Sequence, residues 1–389
     1  MNLYLFAVLG AFVFSGAICA FLIPKILLVS YKRKLFDFVN ERKQHKGIVP
    51  RLGGVAFVPS IIISGALVYG FGTLLMGQIT VRGFSTPKVA LTLCALFILY
   101  LEGIADDLVE LGYKAKFGCQ FLSASLVVCS GIFINNFYGL FGVEAIPLYI
   151  GIPFSIGLLM FIINALNLID GIDGLASGLS IVSLFVLGFL FFYIERYAYA
   201  ILAFSALGTL IPFFCYNVFG DVERHHKIFM GDCGSQVIGL VLGLLAIRLS
   251  MDFGVKDIVH LPNSLLVAFS VLLVPCFDAL RVMCNRMVKG KNPFFADATH
   301  IHHKCLAIGM SHRTAMLFIL MVHSFFIMLN LALMSFADVH LILLLDIALW
   351  VALHRWLNFL RRSKTKQEEA KKHDVQLSID TYSDDSDNE

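Results

Sequence analysis

Asn164, Asn167, Asp170 and Asp173 follow one another at steps of three within the segment NALNLIDGIDGLASG, residues 164–178. Residues three apart on a helix share a face, so the first members of the series point the same way from the end of a long apolar run. Gly171 and Gly174 loosen the backbone where the two carboxylates fall. The segment reads as a helix end that presents amides and acids and admits a bulky partner at close range. A lone Asp-Gly is ordinary turn chemistry. Two Asn and two Asp at this spacing, beside an apolar run long enough to cross a bilayer, exceed what a turn needs.

Three further clusters carry complementary groups. Asp106 and Asp107 end an apolar run in GIADDLVELGYKAK, with Lys114 and Lys116 just beyond. In FMGDCGS, which opens with Phe229, Gly231 and Gly234 bracket Asp232 ahead of another apolar run. Arg286 and the motif HIHH, with His300, His302 and His303, lie in a basic stretch. Adjacent aspartates at a helix end suit a hard cation, and magnesium takes one or two protein carboxylates and completes its octahedron with water and substrate phosphates. Manganese is an acceptable substitute. Nearby Lys and Arg would hold phosphate oxygens, and free N–H groups at GDCGS could meet an anion. The set calls for a pyrophosphate or a nucleotide.

Each cluster has a plainer reading. Asp-Asp before a loop is commonly a solvated helix end. HIHH could ligate a metal, although its spacing without a Cys or acidic partner fits structural zinc poorly. Phe229 could be packing in a chain with 36 Phe, and His225 and His226 read as solvated loop residues.

The elements that must position these groups are membrane helices. The chain has 389 residues, 58% hydrophobic and 15% charged, with a mean hydropathy of +0.82. A soluble domain is about half apolar and a quarter charged, so the expected fold is an all-α polytopic membrane protein. About twenty apolar residues cross a bilayer as a helix. Eleven such spans are expected, near 2–23, 54–76, 88–105, 118–135, 149–168, 176–194, 197–216, 234–250, 263–283, 314–336 and 339–360. The nine cysteines fall singly and read as small core hydrophobes. The first span lacks a basic flank and a small-residue cleavage site, so it reads as an anchor.

Lys and Arg set the orientation. Seven of them fall in 31–52, five in 284–313 and seven in 355–372, against Arg82, Arg196 and Lys256 in the alternate loops, with Lys88 and Arg248 near helix ends. The N-terminus is therefore expected outside and the C-terminus in the cytoplasm. Threading the spans in alternation sends every polar cluster to the cytoplasmic side. Residues 1–360 read as one membrane domain, and 361–389 as a charged tail, a short helix fraying into disorder.

Taken together the motifs resemble the polyprenyl-phosphate N-acetylhexosamine-1-phosphate transferases, and most of all the bacterial branch that uses UDP-N-acetylglucosamine and undecaprenyl phosphate. The resemblance runs from about residue 20 to 335 through NERKQHKGIVPRLGG at 40–54, DDLVELGYK at 106–114, NALNLIDGIDGLASG at 164–178, FMGDCGS at 229–235 and RMVKGKNPFFADATHIHH at 286–303. It implies that Asp106 and Asp107 serve magnesium and the lipid phosphate, that Lys114 holds phosphate, and that Asn167 and Asp232 are metal-binding positions. It gives Asp170 and Asp173 to nucleotide-sugar binding and catalysis, and Phe229 to stacking on uracil. Arg286, His300, His302 and His303 would handle the sugar and diphosphate, with His300 in a catalytic part. Asn164, Lys43 and His45 join the substrate-binding candidates.

Two departures stand out: Val39 where the family usually has proline, and Ala298 where an arginine is common. Relatives that transfer phospho-N-acetylmuramoyl-pentapeptide carry a longer histidine run, so HIHH argues against that substrate. The implied reaction is transfer of N-acetylglucosamine 1-phosphate to undecaprenyl phosphate with release of UMP, starting a cell-surface glycan, in a bacterial inner membrane protein whose site faces the cytoplasm. The implied partners are a UDP-N-acetylhexosamine, the polyprenyl phosphate and the membrane, with no nucleic acid; a homodimer is compatible. Rival readings are the same transfer with another UDP-linked acetamido sugar, an ion-coupled transporter and a scaffold. A transporter calls for acids near the midplane and paired broken helices, whereas these acids gather at one face.

Overall fold

The computed structural model describes residues 2–35, 49–76, 86–252, 263–292 and 299–386. Lys43 and His45, with Val39 and Ala298, lie outside the described residues.

The described chain forms thirteen α-helices: α1 (Asn2–Arg33), α2 (Phe57–Met76), α3 (Thr86–Val109), α4 (Tyr113–Cys129), α5 (Leu148–Ile169), α6 (Leu175–Tyr193), α7 (Tyr197–Phe219), α8 (Gly231–Ser250), α9 (Ser264–Ser270), α10 (Leu273–Val288), α11 (Ile301–Ile308), α12 (His312–Leu333) and α13 (Val339–Ser386). Among the described residues, nine helices are long and apolar enough to cross a membrane: α1, α2, α3, α5, α6, α7, α8, α12 and α13. The pair α9 and α10 passes the same test only as one bent unit. Of the eleven expected spans, 118–135 is met by α4, whose 17 residues fall short of the usual crossing length.

The expected straight span at 263–283 is two helices bent by 80°. Pro275 supplies the reason. It has no N–H to give the carbonyl four residues back, which belongs to Val271 at the break. That carbonyl oxygen accepts instead from the Ser183 hydroxyl of α6 at 2.6 Å, and His323 Nε2 of α12 lies 3.0 Å from the same hydroxyl. A broken helix is tolerated in a membrane when neighbours take up the freed backbone groups in this way.

Helix α8 is the post of the bundle. It is apolar almost all round, which a helix can be only if it is buried on every side, and its best apolar window is wholly covered. Helices α3, α5, α6, α7 and α9 surround it. Gly103 of α3 lies so close to Cys233 of α8 that a Cβ there would overlap the Cys233 backbone. The close approach brings the C-terminal end of α3 onto the N-terminal end of α8. Because α5 runs antiparallel beside α8, its C-terminal end arrives at the same place.

Candidate active site

Three helix ends build the site. Asp107, at the end of α3, accepts the backbone N–H of Asp232 at 2.8 Å through Oδ1 and that of Cys233 at 3.1 Å through Oδ2. These are orphan donors at the start of α8, where the helix dipole also favours a carboxylate. Asp107 therefore ties α3 to α8, and both of its oxygens are engaged in that anchoring.

Asp106 accepts from the Leu111 N–H at 2.7 Å, and its other oxygen pairs with Lys116 Nζ at 2.5 Å. The same ammonium lies 2.6 Å from Asp232 Oδ2. Asn167, from the last turn of α5, donates to Asp232 Oδ1 at 3.1 Å and to Ser235 Oγ at 2.9 Å. Asp106, Asp107, Asn167 and Asp232 thus meet as the sequence led us to expect.

The lysine among them differs. Lys114 is exposed on the first turn of α4, while Lys116 reaches inward and bridges the acids. Helical phase could have told the two apart. Gln120 is a polar residue in an apolar run, it is buried, and Lys116 precedes it by four residues on the same face. Gln120 in turn donates to Gln236 Oε1 at 3.0 Å and accepts from Asn164 Nδ2 at 2.7 Å. Asn164 also donates to the Met160 carbonyl at 2.7 Å. It belongs to this deeper amide network, one turn below the acids.

Glu102, which the sequence reading passed over, sits one turn before Asp106. It is 5% exposed, with Gln236 beside its carboxylate. Lys116, Asp106 and Asp232 lie within its electrostatic reach. Asp106 and Asp232 share the single ammonium of Lys116. No three His, Cys, Asp or Glu side chains among the described residues converge as a ready-made metal cage. Lys116 marks the place between Asp106 and Asp232 where a cation could be held.

The loop after α5 carries the other two acids. Burial pushes the Asp170 carboxyl up to about 7, the charges of Asp232 and Asp173 push the same way, and Arg51 pulls back. Asp173 pairs with Lys227 at 2.5 Å, a partner that sequence spacing did not reveal. Asn217 of α7 clamps this loop to the next one, accepting the Gly174 N–H at 2.6 Å and donating to the Ile228 carbonyl at 2.9 Å. Phe229 follows, half-buried, with its N–H on the Pro50 carbonyl at 2.9 Å and its own carbonyl on the Gly53 N–H at 3.0 Å. The motif ending RLGG is thereby laid beside FMGDCGS.

The histidines reach this loop from the far side. His302 is 1% exposed and stands against Gly171, where a Cβ would collide with its imidazole. Burial, and then the neighbouring His303 and His300, hold its pKa down to about 3, so it packs as a neutral ring. Its ring lies 4.2 Å from that of His303 and is stacked 5.9 Å from that of His300. Arg286 is buried in the last turn of α10. Gly171→Ala should displace the histidine segment, because the ring it meets is buried between two others. The expected result is a 10–100-fold fall in kcat/KM with the folded yield unchanged, and full activity would show that His302 is free to move.

The model of the family described as "Glycosyl transferase family 4" matches residues 89–250, a range that contains all three helix ends. A probable undecaprenyl-phosphate N-acetylglucosaminyl 1-phosphate transferase of Bacillus subtilis (strain 168) is 31% identical over 314 residues, 80% of this chain and 81% of the relative. The chain belongs to glycosyl transferase family 4. Other similar family members are a decaprenyl-phosphate N-acetylglucosaminephosphotransferase of Mycolicibacterium smegmatis, 31% identical over 298 residues (72% of this chain, 71% of the relative), and an undecaprenyl-phosphate alpha-N-acetylglucosaminyl 1-phosphate transferase of Escherichia coli (strain K12), 29% identical over 296 residues (75% and 74%). The family model stops short of the histidine segment, so the roles of Arg286, His300, His302 and His303 rest on their place in this structure and on the resemblance of their motif.

Proposed function

We propose that this protein transfers N-acetylglucosamine 1-phosphate from UDP-N-acetylglucosamine to undecaprenyl phosphate at the cytoplasmic face of a bacterial membrane. The observation that carries the proposal is the bridge Asp106–Lys116–Asp232, in which two acids from different helices face one cation in a family whose named members perform this transfer. The described flanks of the basic segments 31–52 and 284–313 meet the same end of the bundle, with Gly53 bonded to Phe229 and His302 against Gly171, and their Lys and Arg content supports a cytoplasmic site and an N-terminus outside.

An oxygen of the lipid phosphate attacks the sugar-bearing phosphorus of the donor. A new P–O–P bond forms, the bond to the other phosphate breaks, and UMP leaves. The acceptor phosphate, with a second pKa of about 6, is mostly ionised at neutral pH, so little is asked of a general base. Positioning and charge stabilisation do most of the work. Asp106 and Asp232, with the side-chain oxygen of Asn167, would hold magnesium, or manganese in its place. When bound, the ion neutralises charge developing on the phosphate oxygens. Asp107 keeps the α8 end in place beneath them. Lys116 offers its ammonium to the diphosphate, Phe229 a face to the base, and Asp170 and Asp173 form the wall nearest the histidines.

Asp170 gives the reaction a pH dependence. With a pKa of about 7, its carboxylate form is lost as pH falls through neutrality, so kcat/KM should drop tenfold per unit below about pH 7. Raising magnesium should move this limb to lower pH, because a cation at Asp232 removes one cause of the shift. Stability runs the other way: a folded pKa raised above the unfolded value means that ionising Asp170 as pH rises through about 7 costs the fold. A limb that persists in Asp170→Asn would assign it elsewhere.

The enzymatic reading is tested with membranes carrying the protein, undecaprenyl phosphate and a panel of UDP-sugars. Lipid-linked sugar and UMP should appear with UDP-N-acetylglucosamine and vanish with chelator. The departures at Val39 and Ala298 favour one second reading, the same transfer with another UDP-linked acetamido sugar, and the panel decides between them.

A further inference from the structure

From the geometry around α10 we infer that Asp278 is a positioning residue for His300. Asp278 is 1% exposed on the inner face of α10. One of its carboxylate oxygens lies 2.8 Å from His300 Nδ1. The Ile301 N–H donates to both oxygens, at 3.1 and 3.2 Å. Arg281, one turn along, donates to Asp278 at 2.8 Å and to the Thr299 carbonyl at 2.6 Å. Three successive residues, Thr299, His300 and Ile301, are therefore held by a single buried carboxylate and its arginine. A charge buried in a membrane protein persists by pairing or by function, and here the pairing leads straight to the histidine motif.

The consequence is chemical. With its Nδ1 proton donated to Asp278, the neutral ring of His300 keeps Nε2 unprotonated, and Nε2 becomes the nitrogen offered to substrate. A histidine whose second nitrogen is fixed by a carboxylate has both its tautomer and its ring angle set. That fixed ring stacks at 5.9 Å and 5° on His302, which abuts Gly171 in the acid loop. Asp278 thus sets the angle at which His300 meets the diphosphate, without touching the diphosphate itself. The role in turnover rests on the transfer reaction proposed above. The tautomer does not, because it follows from the contact alone.

Two measurements test the inference. Nitrogen NMR of ¹⁵N-histidine-labelled protein, followed to alkaline pH until the shifts stop changing, reads the tautomer directly, with His300 assigned by its loss in His300→Ala. A proton on Nδ1 is expected, and a proton on Nε2 overturns the inference whether or not any transfer is seen. The second is a cycle of Asp278→Asn, His300→Ala and the pair, each checked for folding by its melting temperature. Asp278→Asn should lower kcat by about 10–100-fold, as loss of an orienting partner commonly does, with KM within twofold and with Asp278→Glu recovering most of the loss. In the His300→Ala background the same substitution should cost less than threefold. Equal losses in both backgrounds would mean that Asp278 acts on the fold and not through His300.

Discussion

Replacing Asp232 with Asn should lower kcat by about 10³-fold, a loss of about 4 kcal/mol in transition-state stabilisation. The size follows from how much converges on that one carboxylate. Its Oδ2 lies 2.6 Å from Lys116, its Oδ1 accepts from Asn167 at 3.1 Å, and its backbone N–H is held by Asp107. Asn keeps the volume and one acceptor but removes the charge on which both Lys116 and a divalent cation depend. The folded yield should be preserved, since the backbone contact to Asp107 does not involve the substituted side chain. The concentration of magnesium needed for half-maximal rate should rise as well. Undiminished turnover in Asp232→Asn would remove this residue from the metal site.

The second large effect separates two lysines that lie two residues apart. Lys116→Met should lower kcat/KM by about 10²-fold, on the order of the loss from deleting one charge-stabilising donor in an active site. Met preserves most of the apolar stem, so the change isolates the ammonium. Lys114→Met should stay within about twofold, because Lys114 is exposed on the outer side of α4. Steady-state assays of the two variants side by side decide the matter, and the reverse order would mean that the α4 face is misassigned.

The difference between those lysines shows where sequence reading stops. Spans of membrane length fix which end of each helix meets which face, so the meeting of the α3, α5 and α8 ends could be reasoned from alternation alone. The 2.8 Å contact between Asp107 and the Asp232 N–H bears that out. Helical phase is a finer property. Within DDLVELGYKAK the two lysines look alike, and only Gln120, four residues beyond Lys116 on the same face, marks which of them turns inward. Asn164 shares a face with Asn167 and therefore lies one turn lower, where it bonds to Gln120 and the Met160 carbonyl. The fracture between α9 and α10 did leave a mark, Pro275, but Pro24 and Pro212 also lie inside apolar helices and leave them unbroken. Glu102 and Asp278 left less. Each is one acid in an apolar run, and only the fold shows that the first faces the cluster and the second holds His300.

The central claim is that the sugar moves together with its phosphate. UDP-N-acetylglucosamine labelled with ³²P at the sugar-bearing phosphorus and with ³H in the sugar, incubated with the protein, undecaprenyl phosphate and magnesium, tests it most directly. The account predicts that both labels enter the lipid fraction in equal amounts and that the released nucleotide is unlabelled UMP. Tritium in the lipid with ³²P left on the nucleotide would contradict it, as would the absence of either product while the protein remains folded.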